Sequence, residues 1–329
     1  MSPLPVAVDA MGGDNAPEAI IEGARMAAAE GLGVVLVGPP EQLDGSGLDV
    51  IPAREVVDMD ADPGASVRRL KDASVVRAAE AVRDGRACAM LSAGNTGAAM
   101  ASALLRFGRI KGVVRPAVAC PFPVPGRATP TVVLDCGANS DCVAAWLAQF
   151  ARMGVVYSRA GFGVAEPRVG LLSIGEEAGK GSALVKEVFP LLADEAWQER
   201  ANARFVGNVE GRDLLLDRAD VIVTDGFTGN VVLKTAEGVA GVIAGEIIRL
   251  ADSSPEARAG ADLFFPALAG LYESFDPDNI GGAVLLGVRG VCTISHGSSS
   301  PKAIASAIAV AHHLAAAGVV AQITRAVAG

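Results

Sequence analysis

The chain has 329 residues, of which 51% are apolar, 20% charged and 4% aromatic, with a formal net charge of −9. This apolar content excludes a disordered chain, because its burial offsets the entropy lost when the backbone is ordered. The acidic balance argues against general binding to nucleic acid, which needs a basic face.

Short apolar runs alternate with Ala-rich helical windows along the sequence. Strands made almost entirely of Val, Ile, Leu and Ala are typical of a parallel sheet buried on both faces, so we predict a doubly wound α/β fold. No Gly/Ser linker divides the chain, and we expect one α/β unit over residues 1–329. In chain order, the predicted elements are strand Val6–Asp9, helix Pro17–Glu30, strand Val34–Val37, helix Ser74–Asp84, strand Ala87–Ser92, helix Thr96–Phe107, strands Ala117–Pro121 and Thr131–Asp135, helix Cys142–Ser158, strand Arg168–Ile174, helix Ser182–Ala193, strands Arg204–Gly207 and Asp220–Thr224, helix Gly229–Leu250, strands Val284–Leu286 and Val291–Ser295, and helix Pro301–Val327.

An apolar helical segment within residues 251–280 is predicted to protrude from this unit. Its apolar spacing over Pro255–Phe275 predicts a helical stripe broken at Pro266. Either the stripe is a core or dimer-interface helix pair, or it is an exposed edge that contacts a membrane or a partner. The stripe consists of Leu263, Phe264, Phe265, Leu268, Leu271, Tyr272 and Phe275.

The sequence favours a cytoplasmic protein without a bound metal. The N-terminus lacks the basic and long apolar regions of a secretory signal, and the five cysteines have no metal-ligand spacing. Residues 303–323 are long enough to cross a bilayer, but they are mainly Ala and contain His312 and His313. We therefore predict a buried C-terminal helix there.

Six turns that contain Gly and small polar residues each follow a predicted strand. In a parallel sheet the carboxyl ends of the strands meet at one edge, where ligands bind, so we expect all six turns at that edge. Glycine lets the backbone approach a ligand closely, and helix N-termini present N–H groups to it. One such turn would be an ordinary capped loop, but six together predict a phosphate or oxyanion site. The turns are Asp9–Asn15, Ser92–Gly97, Asp135–Ser140, Gly175–Gly181, Thr224–Asn230 and Ser295–Ser300.

Other chemical motifs are incomplete. Residues 175–182 resemble a Walker A loop with one residue too few and with Gly181 in the position of the Mg²⁺-binding hydroxyl, which leaves Lys180 as a candidate cation. His296 is the histidine best placed to line the site. Cys136 follows a strand end without a basic neighbour, so we interpret it as a packing residue rather than a nucleophile.

Two basic clusters interrupt the acidic background. Arg68, Arg69 and Lys71 form one, and residues 106–115 contain the other. They are either solvated faces or docking surfaces for an acidic partner.

Taken together, the turns resemble one family, the PlsX family of bacterial phosphate acyltransferases. Asn15 stands where His is expected in many members, and Cys136 where Val is usual, which supports a packing role for the thiol. The matching motifs are Val8–Asp14 with Ala16 and Pro17, Ser92–Ala98, Gly108–Lys111 with Arg115 and Pro116, Asp135 with Gly137–Asn139, Pro167–Leu172, Thr224–Val231, Gly281–Ala283 and His296–Ser299.

The resemblance implies a three-layer α/β/α fold with a mostly parallel sheet, similar to isocitrate dehydrogenase and phosphotransacetylase, in a homodimer. It implies transfer of a fatty acyl group from an acyl carrier protein thioester to inorganic phosphate, without a cofactor or metal. The acyl phosphate would supply a membrane glycerol-3-phosphate acyltransferase, so the resemblance implies a cytoplasmic protein, or one peripheral at the inner face of the membrane. Two alternatives stay open: a phosphotransacetylase-like enzyme that uses a small acyl-CoA, and a phosphate-binding scaffold for lipid enzymes.

Three sets of site residues follow from the turns and the resemblance. The predicted catalytic residues are Lys180, Asn95, Asn230 and Asp225. The predicted phosphate- and substrate-binding residues are Asp9, Gly12, Gly13, Asp14, Ser92, Gly94, Thr96, Asp135, Asn139, Thr228 and His296. The predicted carrier-protein docking residues are Arg68, Arg69, Lys71, Arg109 and Lys111.

Overall fold

A computed structural model of the protein describes residues 4–275, 278 and 281–328, with the side chains of 269 and 271–275 outside that description. Over these residues a single mixed sheet of 11 strands runs in the order β3-β2-β1-β4-β11-β10-β5-β6-β9-β7-β8. The strands are β1 Val6–Asp9, β2 Val34–Gly38, β3 Asp49–Pro52, β4 Ala89–Ser92, β5 Ala117–Phe122, β6 Thr131–Leu134, β7 Arg168–Leu172, β8 Arg204–Val209, β9 Val221–Val223, β10 Ala283–Leu286 and β11 Val291–Ile294.

Helices cover both faces of the sheet. One apolar cluster packs Ile20, Phe150 and Ile304 against one face, and a second packs Val76 and Ala99 against the other. This arrangement gives the predicted three-layer α/β/α fold. The helices are α1 Glu18–Ala29, α2 Pro40–Leu43, α3 Pro63–Arg69, α4 Ser74–Arg83, α5 Thr96–Arg106, α6 Ala144–Phe162, α7 Ala183–Ala193, α8 Glu195–Ala201, α9 Gly226–Ala251, α10 Pro255–Phe275, α11 Pro301–Ala316 and α12 Val319–Ala328.

The sheet is mostly parallel, but its direction changes in the middle. Strand β10 is antiparallel to β11 and β5, and β5 is antiparallel to β6. These reversals leave β6, β9, β7 and β8 running opposite to β3, β2, β1, β4 and β11. The expectation that all six turns lie at one edge is therefore wrong, because the carboxyl ends of the two strand sets lie at opposite edges of the sheet.

Most predicted elements are confirmed, and the differences have local causes. The predicted C-terminal helix is two helices, since Gly318 adopts a left-handed φ of 66° between α11 and α12. The predicted break at Pro266 is wrong, because α10 continues through that residue. Strand β3 and the helices α2, α3 and α8 were not predicted, because β3 lies at the end of the sheet order and these helices span only 4, 7 and 7 residues.

No single helix in the described residues is apolar over a length that could cross a membrane. Only α11 and α12 taken together pass that test by length and composition, and they are bent by 53° at the break between them.

Candidate active site

The six turns form two groups, one at each edge of the sheet. Residues 9–15, 92–97 and 295–300 follow β1, β4 and β11 at what we call the Asp9 edge. Residues 135–140, 175–181 and 224–230 follow β6, β7 and β9 at the Asp135 edge. Strand β9 lies between β6 and β7, so these last three turns are neighbours.

Asp9 is a buried carboxyl group at the end of β1. It is 3% exposed, and it accepts hydrogen bonds from Ser92 Oγ at 2.7 Å and the Met11 N–H at 3.3 Å. Burial raises the pKa of Asp9, although these hydrogen bonds act in the opposite direction. The adjoining cavity holds about 10 Å³, which suits one water molecule and is too small for a phosphate ion.

The other small residues of the Asp9 edge bring two turns into contact. A Cβ atom on Gly12 would lie 2.6 Å from Asp9 Oδ2 and 2.7 Å from the Gly94 nitrogen, so only glycine fits there. The Gly94 N–H donates to Ser92 Oγ at 3.1 Å. The main polar groups here therefore bond to one another.

The Asn95 amide is fully engaged in local structure. Its Oδ1 accepts from the Ala98 N–H at 3.0 Å and caps α5. Its Nδ2 donates to the carbonyl oxygens of Met59 at 2.9 Å and Ala61 at 3.2 Å. We therefore assign Asn95 to holding the loop before α3 against α5, where Thr96 follows as an exposed residue.

The outer part of the Asp9 edge joins the first turn to the last. The Asp14 N–H donates to the Gly297 carbonyl at 2.8 Å, and a Cβ on Gly13, which has a φ of 118°, would lie 3.1 Å from the same oxygen. The Asp14 side chain is exposed. His296 is exposed too, and its Nδ1 bonds within its own turn to Ser298 Oγ at 2.8 Å.

Asp135 organises the opposite edge. Its Oδ1 accepts from the N–H groups of Val118 at 2.9 Å and Ala138 at 3.0 Å, and its Oδ2 accepts from the Asn139 N–H at 2.7 Å and Nδ2 at 2.8 Å. Burial raises the pKa of Asp135, and these hydrogen bonds act against that rise. The Asn139 amide also donates to the Pro116 carbonyl at 2.9 Å.

The N-terminus of α9 packs directly on this turn. Asp225 caps the helix through the Thr228 N–H and Thr228 Oγ1, each at 2.8 Å. The Gly226 N–H donates to the Asn139 carbonyl at 2.8 Å. A Cβ on Gly229 would lie 1.9 Å from the Asp135 carbonyl oxygen, so this close approach requires glycine.

Two polar side chains of the Asp135 edge, one on the loop after β7 and one on α9, have no hydrogen-bond partner in the described residues. Lys180 is exposed on the loop after β7, and its ammonium group has no hydrogen-bond or ion-pair partner in the described part of the chain. The Asn230 amide is exposed, with its Oδ1 3.6 Å from the position of a Cβ on Gly137, and it has no described partner either. The Asp135 edge thus offers a cation and an amide to a ligand.

Two buried polar atoms and three exposed apolar side chains at this edge were missed by sequence reasoning. Ser173 Oγ and Asn208 Oδ1 are buried without a described partner at the ends of β7 and β8. Ile174 is 82% exposed, Phe227 67% and Val231 48%. The polar Asn208 within an otherwise apolar strand end was a usable signal, whereas the exposure of Ile174 and Phe227 depends on tertiary packing.

The cysteines near this edge are poor nucleophiles. A hydrogen bond with Cys120 and burial both raise the pKa of the Cys136 thiol. Burial raises the pKa of Cys142 to about 11. Because the thiolate is the reactive form, these shifts agree with a packing role for Cys136.

The exposed members of the two basic clusters stand on different elements, although Arg106 of the second cluster donates to the Val67 carbonyl of α3 at 3.4 Å. Arg68, Arg69 and Lys71 are exposed at the end of α3, which packs on α5 near the Asp9 edge. Arg109 and Lys111 are exposed on the loop 108–116, which ends at the Pro116 carbonyl bound by Asn139 at the Asp135 edge.

Solved structures similar to this chain define its fold class. It aligns with the EutD phosphotransacetylase from Staphylococcus aureus with a TM-score of 0.62 and 17% identity, covering 95% of this chain and 94% of that one. It also aligns with a branched-chain phosphotransacylase from Enterococcus faecalis V583 with a TM-score of 0.60 and 16% identity, covering 95% and 99%. The protein therefore has the fold of the phosphotransacetylases.

Sequence comparison identifies the family within that class. Residues 4–322 match the family model described as fatty acid synthesis protein. The phosphate acyltransferase of Elusimicrobium minutum (strain Pei191) is 48% identical over 339 residues, covering 98% of this chain and 96% of the relative. That of Pelotomaculum thermopropionicum is 46% identical over 317 residues, covering 94% and 90%. The chain belongs to this family of phosphate acyltransferase enzymes.

Proposed function

We propose that the protein transfers a fatty acyl group from an acyl carrier protein thioester to inorganic phosphate. A phosphate oxygen attacks the thioester carbonyl carbon, a C–O bond forms, and the C–S bond breaks as its electron pair returns to sulfur. The thiolate takes a proton from solvent, and the products are acyl phosphate and free carrier protein. Phosphate is itself the nucleophile, which fits a site whose thiols are poorly reactive.

The observation that carries this proposal is that Lys180 and Asn230 stand on neighbouring turns of the Asp135 edge, each exposed and without a partner in the described residues. The ammonium is suited to balancing the charge of phosphate and of the oxyanion that develops on the carbonyl oxygen, and the amide N–H is suited to donating to that oxygen. Asp225, Thr228, Asp135 and Asn139 act by holding the two turns in register. We therefore put the reaction at the Asp135 edge.

The Asp9 edge has a different role in this proposal. Asp9, Gly12, Ser92 and Gly94 bond or pack against one another around a cavity of about 10 Å³, so we assign them to shaping the fold. The half-buried Gly13 and the exposed Asp14, Thr96 and His296 of that edge remain proposed substrate contacts.

We further propose a homodimer formed through α9. This helix carries exposed apolar side chains, with Val242 67%, Ile243 55% and Ile248 56% exposed. A second copy of the chain would remove this surface from water. Leu263 and Phe264 on α10 are 85% and 59% exposed, and we propose that they contact the acyl chain or the inner membrane surface, where a glycerol-3-phosphate acyltransferase takes up the product.

A donor comparison tests the reaction. Purified protein receives phosphate with either palmitoyl carrier protein or acetyl-CoA, and release of free thiol is followed with and without phosphate. We expect phosphate-dependent release from the long-chain carrier-protein thioester. Preference for acetyl-CoA would favour a phosphotransacetylase, and phosphate binding without turnover of either donor would favour a scaffold.

A further inference from the structure

The loop 108–116 carries basic side chains, and hydrogen bonds hold its backbone in place. The Arg109 guanidinium donates to the Val114 carbonyl, and the Val114 N–H donates to Gln149 Oε1 at 2.8 Å. Gln149 Nε2 returns a hydrogen bond to the Gly112 carbonyl at 2.9 Å. A braced loop loses little conformational entropy when it binds a partner.

Three exposed basic side chains stand on this loop. Arg115 lies over the Trp146 ring, with its Cζ 4.9 Å from the ring centroid. Lys111 has no partner among the described residues, and none of Arg109, Lys111 and Arg115 forms a salt bridge there. Their charge is therefore available to an outside partner.

The surrounding sequence concentrates this positive charge. The chain carries a formal net charge of −9, yet residues 85–134 contain 6 basic residues and no acidic one. Three of the six pair with acidic residues from outside this stretch, namely Arg86 with Asp84, Arg106 with Glu80 and Arg127 with Asp220. The three basic residues on the loop 108–116 have no such partner in the described residues, and charges within a Debye length of ~8–10 Å add to one local positive potential there.

The positive charge of the other basic cluster, Arg68, Arg69 and Lys71, is offset by acidic residues nearby in the sequence. Residues 54–72 contain Arg54, Arg68, Arg69 and Lys71, but they also contain five acidic residues. The acidic residues are Glu55, Asp58, Asp60, Asp62 and Asp72. A partner of negative charge gains little there, because attraction and repulsion cancel.

The loop 108–116 also connects to the proposed reaction site. Its last residue, Pro116, accepts the 2.9 Å hydrogen bond from Asn139, whose carbonyl accepts the Gly226 N–H at the start of α9. A protein bound on this loop would sit at the same edge as Lys180, whereas one bound at Arg68 and Arg69 would sit near the Asp9 edge.

We propose that the loop 108–116, through Lys111 and Arg115, is the docking surface for the acidic protein that carries the thioester. This inference rests on the proposed function, since the carrier protein is its substrate. It selects one of the two basic clusters and assigns the docking role to two of its members, Lys111 and Arg115.

Steady-state kinetics with palmitoyl carrier protein as the varied substrate test this surface. The single charge reversals Lys111→Glu and Arg115→Glu should each raise KM by about 10-fold with little change in kcat, because they act on encounter and docking. Arg204→Glu is the matched control, on an exposed arginine at the start of β8, the last strand in the sheet order, and its KM should stay at the wild-type value. The conservative variants Lys111→Arg and Arg115→Lys should restore most of the affinity.

The alternatives give different results. If KM rises in an Arg68→Glu/Arg69→Glu variant and is unchanged in Lys111→Glu and Arg115→Glu, the docking surface is the other cluster and this inference is wrong. A wild-type protein that releases no thiol in the presence of phosphate would instead contradict the proposed function. Thermal melting of each variant separates a docking defect from unfolding.

Discussion

Lys180 is the residue on which the proposed chemistry depends most. Its ammonium stands on a Gly-flanked loop without a described partner, so it is free to meet an anionic ligand. Sequence reasoning found it, because a lysine between glycines after a strand is unusual in a chain poor in cations. The sequence also predicted a catalytic role for Asn95. Its Oδ1 caps α5 through the nearby Ala98 N–H, but its Nδ2 donates to the carbonyls of Met59 and Ala61 far away in sequence, which no local pattern reveals.

Replacement of Lys180 should affect turnover and leave the fold intact. We expect Lys180→Ala to lower kcat by at least ~10-fold, equivalent to about 1.4 kcal/mol of barrier. Lys186→Ala is the matched control, since Lys186 is exposed on α7 a few residues further along. Equal activity of both variants in the phosphate-dependent assay would remove Lys180 from the mechanism.

At the scale of elements, the contact between α9 and the turn after β6 fixes the Asp135 edge. The sequence predicted both elements but not their contact, because Gly229 gives no local sign that its Cα will face the Asp135 carbonyl oxygen. The reversal of the sheet at β10 and β5 was missed for a similar reason. Buried strands in either direction have the same apolar composition, so only pairing across the sheet distinguishes them.

Two glycine substitutions on α9 separate packing from helix propensity. Gly229→Ala places a Cβ 1.9 Å from a backbone oxygen, and we expect it to cost about 3 kcal/mol of stability and to lower activity. On the same helix, the new Cβ of Gly238→Ala meets no atom within 4 Å, so this substitution should add about 1 kcal/mol to the free energy of unfolding. Urea unfolding measures both, and a stable, active Gly229→Ala protein would contradict the described contact.

An ion-pair cluster ties together the starts of β7 and β9 and the loop before β6. Asp220, 4% exposed, accepts from Arg127 at 2.7 Å and from Arg168 Nε at 3.0 Å. Burial alone would raise the pKa of Asp220, but the hydrogen bonds from Arg168 and Arg127 hold it below its usual range.

The lowered pKa makes this cluster sensitive to acid. The ion pairs of ionised Asp220 stabilise the folded state fully above the ordinary aspartate pKa of about 3.9. This stabilisation is lost as the pH falls through the lower pKa that Asp220 has in the folded protein. Asp220→Asn should therefore cost about 2 kcal/mol near neutral pH and progressively less below pH ~4. Unfolding midpoints measured from pH ~7 to ~3 test this, and a difference that is independent of pH would refute the assignment.

At the scale of the whole molecule, we expect the exposed apolar face of α9 to be buried against a second copy of the chain. We expect a dimer in sedimentation equilibrium, and we expect Val242→Glu to shift it toward monomer because a charge cannot be buried there without cost. Lys186→Glu on α7 is the control and should remain dimeric. A wild-type protein that sediments as a monomer at all concentrations would remove the dimer from the proposal.

The fold class and the family were predictable from the whole sequence because strand composition and turn motifs recur over its length. The grouping of the turns was not, since it depends on strand direction. The prediction of a single site from the six turns combined residues that the sheet holds at opposite edges. At the Asp135 edge, Lys180 and Asn230 are exposed and have no partner in the described residues.

The most direct test of the central claim follows the oxygen atoms of phosphate. The protein is incubated with palmitoyl carrier protein and ¹⁸O-labelled inorganic phosphate, and the products are identified by mass spectrometry. The account predicts an acyl phosphate that retains all of the label, formed by the wild type and strongly reduced in Lys180→Ala. Unlabelled fatty acid released at the same rate without phosphate would contradict it.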